Sequence, residues 1–231
     1  MGYVVAVTGS KGGGGKSTLS VHLVVYLDDI GCGVGLVDAD YNQCTSTKWL
    51  GRLDHNITVD VLPSDLEEHQ RVRELRRKVR RLRETHEFVV IDTKGEASTL
   101  TDAALLMADL VLIPFQPSGP DIWELESTIS AVVVSQEENR GKPDAYLILN
   151  QTSESDAVGR EVRELGQSYG IPTAKHTLKR VNAYRDAGGI GTVATRLSGR
   201  RSRPHRDAMI ALFREVLRDY MPQQRREIAN E

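Results

Sequence analysis

"YVVAVTGSKGGGGKST", residues 3–18, runs from a β-rich apolar stretch through four consecutive glycines and a lysine into a predicted helix that starts at Ser17 and stops near Gly31. A strand that feeds a glycine loop at the start of a helix aims several backbone N–H groups at one point, and the helix dipole adds positive character there. Such a loop binds a phosphate chain. The spacing lets Lys16 reach β- and γ-phosphates, makes Ser17 a magnesium ligand and gives Thr18 a hydrogen bond to the α-phosphate. Gly12, Gly13, Gly14 and Gly15 carry no side chain that would block the approach.

Outward from this loop, further apolar runs occupy residues 34–38, 88–92, 110–114 and 145–150, separated by segments long enough for helices. Continuous apolar strands alternating with helices require a sheet covered on both faces. The class is therefore α/β, a three-layer P-loop NTPase with a mostly parallel central sheet flanked by helices. Within residues 65–87, Val72, Leu75, Val79 and Leu82 recur at spacings of three and four, one apolar face on an otherwise charged helix. The glycine- and arginine-rich run "GGIGTVATRLSGRRSRPHR", residues 188–206, reads as loops ahead of a last helix over residues 207–221. A chain of 231 residues without repeats or linkers reads as one domain, residues 1–231, with a frayed tail from about residue 222.

Composition narrows the function classes. A formal net charge of -2 excludes a general polycation, so nucleic-acid binding would need a local patch. The two cysteines, Cys32 and Cys44, form no CxxC or Cys/His pattern, which argues against a disulfide framework or structural zinc. The chain has no run of eighteen apolar residues, and the apolar start is too short for an export signal. A cytoplasmic protein is expected.

The loop departs from GxxxxGK[ST] by one residue, Ser10, but fits KGGxGK[ST] over residues 11–17. On this motif the sequence resembles the deviant Walker A ATPases of the ParA/MinD group, whose signature lysine stands where Lys11 does. The resemblance implies that Lys11 reaches the nucleotide of a second subunit in an ATP sandwich dimer, so that Lys11, Lys16 and Asp40 form the catalytic set. "VDADYNQ", residues 37–43, resembles the group's second acidic motif. It implies that Asp40 orients the attacking water and that Asp38 holds magnesium's water shell, although Tyr41 and Asn42 depart from the pattern. Asp92 closes an apolar strand in the Walker B arrangement, which makes Ser17, Asp38 and Asp92 the magnesium set. Lys94 stands where the group has proline, and both a nucleotide contact and a solvent-facing role are open to it. Asp121 and Trp123 match a dimer-facing helix, and Asn150 matches an adenine-recognising position, next to the loop residues 11–18, in the ATP site.

Within the group, the cysteines are wrongly placed for a nitrogenase iron protein, and a lone Tyr220 does not match the tyrosine cluster of the bacterial kinases. The resemblance is closest to small ParA-type partition ATPases. It implies a cytoplasmic, nucleoid-associated protein that binds ATP and Mg2+, pairs as a homodimer, binds DNA non-specifically and answers to a ParB-like or adaptor partner that stimulates hydrolysis. The cargo, whether plasmid, chromosome or protein assembly, is not encoded in these motifs. Lys179, Arg180, Arg196, Arg200, Arg201 and Arg203 lie near where the group carries its DNA surface, and the arginine helix of residues 71–83 is the alternative patch. A MinD-like membrane-surface positioning ATPase is the alternative function, and a metabolic P-loop ligase fits less well.

Overall fold

The computed structural model describes residues 1–9, 12–116, 121–150, 157–178 and 182–221, of which residues 121, 122, 182, 183, 185 and 186 by their backbone alone. Strands β1 (Tyr3–Val7), β2 (Val34–Asp38), β3 (Thr58–Val61), β4 (Phe88–Asp92), β5 (Leu110–Phe115) and β6 (Asp144–Leu149) form one sheet in the order β3-β2-β4-β1-β5-β6. Every pairing is parallel. Parallel neighbours need crossovers, and helices supply them. These are α1 (Lys16–Asp29), α2 (Thr45–Leu50), α3 (Glu68–Thr85), α4 (Thr99–Met107), α5 (Asp121–Glu138) and α6 (Ala157–Ser168). Then come α7 (Asn182–Gly189), a 3-10 turn (Ala194–Arg196) and α8 (Arg203–Val216).

Side chains alternate across each strand, so β1 feeds both cores. Val5 and Val7 pack with Leu23 and Leu27 of α1 and with Leu212 and Phe213 of α8. Val4 and Ala6 pack on the other face with Leu75, Val79 and Leu82 of α3, Ala104 of α4 and Ile129 of α5. The three predicted layers are therefore present, and the sheet is parallel throughout. The expected helical face on α3 is buried at Leu75, Val79 and Leu82, with Val72 partly buried.

Several details differ from the sequence expectation. β3 is an additional edge strand, α7 is an additional helix, and the 3-10 turn interrupts residues 188–206, expected to be loop. The last helix begins earlier, at Arg203, where Pro204 in the first turn needs no N–H partner. α1 starts at Lys16 rather than Ser17, because Gly15 is its N-cap residue with φ +97°, and Gly31 follows its end at φ +79°. Glycine tolerates both conformations.

Candidate nucleotide site

Because the strands are parallel, all their C-terminal ends open at one pole. In register, Val7 stands beside Asp92 and Asp92 beside Asp38, so the glycine loop and both acidic strand ends converge. Short backbone bonds hold the junction, from Ala39 N–H to the Asp92 carbonyl (2.9 Å) and from Thr93 N–H to the Val7 carbonyl (3.2 Å). Open α/β sheets place ligands at this pole.

The loop is shaped by its glycines and by Asn150. Gly13 and Gly15 have φ of +84° and +97°, and a β-carbon on Gly15 would lie 2.3 Å from Asn150 Nδ2. That amide donates to the Gly14 carbonyl at 3.1 Å. Asn150 is thus nearly buried as a wall of the loop. Leu19 N–H bonds the Gly15 carbonyl at 2.8 Å, the first bond of α1. Ser17 and Thr18 follow on the first turn, half-buried.

Lys16 is only 7% exposed. Burial lowers its pKa, while Asp92 and Asp40 oppose that shift by favouring the charged form. Asp92 is fully buried and accepts from Ser20 Oγ (3.1 Å) and from Ser46 Oγ. Burial pushes its carboxyl up to about 6, against hydrogen bonds from Ser46, Ser17 and Ser20 and with the Asp38 charge adding to the rise. Asp38, also fully buried, accepts from Thr47 N–H (3.0 Å), Thr47 Oγ1 (2.8 Å) and Asp40 N–H (3.2 Å). Its pKa is raised by burial too.

Asp40 stands at the rim, half-buried, with its carboxylate accepting from Gln43 N–H at 3.2 Å. The structure therefore brings Lys16, Ser17, Asp38, Asp40, Asp92 and Asn150 to one pole. Lys11 lies outside the described residues.

A hydroxyl and two carboxylates are hard oxygen donors, the set magnesium prefers, and magnesium keeps water and phosphate oxygens for its remaining positions. Among the described residues no group of three or more His, Cys, Asp or Glu could hold a metal alone.

Hydroxyls of α1 and α2 were missed from sequence. Ser20, Ser46 and Thr47 are the groups that hold Asp38 and Asp92. The clustering of Ser and Thr in "CTSTKW", residues 44–49, just after the acidic motif, was the available signal. Two of the departures from the group's pattern, Tyr41 and Lys94, pack together. Lys94 Nζ lies 5.4 Å from the Tyr41 ring centroid and Arg71 Cζ lies 4.0 Å from it, cation–π contacts. Lys94 also pairs with Glu96 at 2.6 Å.

Of the expected DNA-contacting residues, Lys179 and Arg180 lie outside the described residues. Arg196 is tied down. Its guanidinium pairs with Asp29 at 2.7 Å and donates to the Asp54 carbonyl at 2.7 Å, so it ties the 3-10 turn to the end of α1. Arg200, Arg201 and Arg203 are exposed, with Arg203 3.5 Å from Asp207. No helix of the described residues is long and apolar enough to cross a membrane.

Residues 3–137 match the family described as ATPase MipZ. The chain is 31% identical to the maintenance of carboxysome distribution protein A of Halothiobacillus neapolitanus, over 93% of this chain and 96% of that protein. It is 33% identical to a protein ParA of Rhizobium radiobacter, over 63% of each chain. The fold resembles that of the septum site-determining protein MinD of Pyrococcus horikoshii, solved with Mg-ADP. The TM-score is 0.71 at 20% identity, covering 94% of this chain and 96% of that one.

Proposed function

The chain belongs to the MipZ/ParA/MinD family of ATPases, whose members act in positioning and partition, and from that premise we propose a specific cycle for it. It binds ATP with Mg2+, pairs as a homodimer, holds DNA without sequence preference and releases it when an adaptor stimulates hydrolysis. The observation that carries this reading is the convergence of the glycine loop and Lys16 with two buried carboxylates, Asp38 and Asp92, at one pole.

Magnesium supplies charge neutralisation and a template for the phosphates when bound. Ser17 and Asp92 would hold it, with Asp38 ordering its water. The loop N–H groups and Lys16 hold the phosphates, and Thr18 adds a hydroxyl. Asp40, at the rim, orients a water for attack on the terminal phosphorus, and Lys11 reaches the partner's nucleotide. Phosphoryl transfer needs mainly such positioning and charge, because its transition state is loose. Asn150, on the loop wall, borders the space for the base.

Dimerisation at this pole is supported by Trp123, which is 82% exposed on the first turn of α5, beside the strand ends. A second copy would cover it. Exposed Arg200, Arg201 and Arg203 supply DNA phosphate contacts, doubled in the dimer. A membrane-surface role is less well supported, because Met209, Leu212, Phe213 and Val216 of α8 already pack into the core. The full-length likeness to a carboxysome-distribution protein favours a protein assembly as cargo.

The test is retention of plasmid DNA by the purified chain with ATP and with ADP across a salt series. Retention only with ATP, weakening steeply with salt and lost in R200E/R201E, is expected. Equal retention with ADP, or none at all, overturns the switching cycle. Loss of nucleotide binding in K16A is the control for the site itself.

A further inference from the structure

We propose that the concave surface at the opposite pole of the sheet, between α3 and the end of α4, docks an acidic amphipathic helix of a partner protein. This goes beyond the nucleotide cycle and does not depend on it.

Helix α3 carries eight basic residues, and five are spoken for. Arg71 stacks on Tyr41 and donates to the Ser64 carbonyl. Arg77 and Lys78 meet Glu74, Lys78 and Arg81 meet Asp60, and Arg83 meets Asp109. Arg73, Arg76 and Arg80 are exposed and make no ion pair among the described residues. Spacings of three and four put them on one stripe, spanning roughly 10 Å at the helical rise per residue.

This stripe borders two adjoining concavities that share Arg76 and Arg80, of about 560 Å³ and 350 Å³. The larger has an apolar floor of Val79, Leu106 and Met107, with Met1, 91% exposed, at its rim. A field of arginines alone would suit a nucleic-acid backbone, which presents phosphate and has no use for an apolar floor. Arginines around a methionine-lined hollow suit a peptide instead. Methionine adapts to varied side chains, and Arg and Met are both enriched at protein interfaces. A helix with apolar anchors on one face and carboxylates beside them would fill the hollow and meet the stripe, combining groove docking with acidic-motif recognition.

The surface lies at the strand N-terminal pole, beside Asp109 at the start of β5, whereas the nucleotide loop lies at the C-terminal pole. A partner seated here leaves the nucleotide loop and Trp123 uncovered.

The experiment uses the full chain and a fluorescent synthetic helix of Glu with Leu at positions of one face, read by anisotropy. A scrambled peptide of the same composition and a short DNA duplex are the comparison probes. Expected are saturable binding of the amphipathic peptide, at least about tenfold weaker binding of the scramble, and a loss of about tenfold or more in R76E/R80E. Met107→Ser should weaken the peptide several-fold. The two arginines are exposed and make no ion pair among the described residues, so R76E/R80E should keep its melting temperature and its nucleotide affinity, and its result decides the matter. Equal binding of amphipathic and scrambled peptides, or no effect of R76E/R80E, overturns the proposal. A loss of duplex affinity in R76E/R80E with the peptide unaffected overturns it in favour of a nucleic-acid surface. Failure of ATP-dependent DNA retention in the wild type would sink the proposed cycle and leave this surface untouched.

Discussion

Trp49 donates its indole N–H to the carbonyl oxygen of Thr192 at 2.9 Å, across 143 residues of sequence. The same short helix, α2, carries Ser46 and Thr47, which hold Asp92 and Asp38. One turn and a half of helix therefore joins the acidic strand ends to the segment that leads into the exposed arginines.

Gly188 closes against this tryptophan, since a β-carbon there would meet the ring at 2.9 Å. In an ordinary helix interior, Gly→Ala stabilises by up to about 1 kcal/mol. Here the rigid indole cannot yield, so Gly188→Ala should destabilise by about 1–2 kcal/mol net, as overpacking does. Urea unfolding decides the sign. Trp49→Phe, which loses the hydrogen bond and some packing, should cost about 1–2 kcal/mol.

Buried His22 sets a pH dependence. Its Nε2 accepts from Ala194 N–H at 2.9 Å, so Nδ1 carries the proton and donates to the Thr18 carbonyl at 2.7 Å. Burial pushes its pKa down to about 4 from 6.5, although the bond to Thr18 favours the protonated ring. The unfolded chain binds the proton more readily, so this contribution is complete above the unfolded value and is lost as pH falls from about 6.5 through about 4. At ~1.4 kcal/mol per unit the loss is on the order of 3 kcal/mol. Unfolding free energies across that window should fall less steeply in His22→Gln than in the wild type. Parallel profiles would refute it.

Asp40→Asn keeps an acceptor for the Gln43 N–H and leaves the loop intact. Nucleotide affinity should change little, while single-turnover hydrolysis drops by about 10²-fold or more, the usual scale for a lost acid–base or orienting group. Wild-type phosphate release would remove Asp40 from its assigned role.

Gly15→Ala suffers twice, from its left-handed φ and from Asn150. Nucleotide affinity should collapse, with stability lower by about 1–3 kcal/mol. Adding Asn150→Ala relieves the contact but not the backbone conformation, so calorimetric titration of the double variant should recover little binding.

Five of the six strands were legible because each is an apolar run buried on both faces. Thr58–Val61 was not, since an edge strand of mixed polarity resembles a loop until β2 pairs with it. The glycine loop and its acidic neighbours could be read from local spacing. Ser46 could not be assigned to Asp92, because 46 residues separate them and only sheet register brings α2 over β4. The ion pair of Arg196 was hidden for the same reason: its Asp29 partner lies 167 positions away, and sequence alone shows a cation near other cations. At α3 the composition was plain, but which arginines lack an ion pair among the described residues depends on Asp60 of β3 and on Asp109, just ahead of β5.

The two-sided burial of Tyr3–Val7 makes this strand intolerant of length change in a way that substitutions do not reveal. Deleting one residue would turn every side chain of the strand to the wrong layer and shorten the tether to the glycine loop at once. Val5→Ile or Val4→Ile keeps the alternation, so the chain can drift in residue identity here while its length at this point stays frozen.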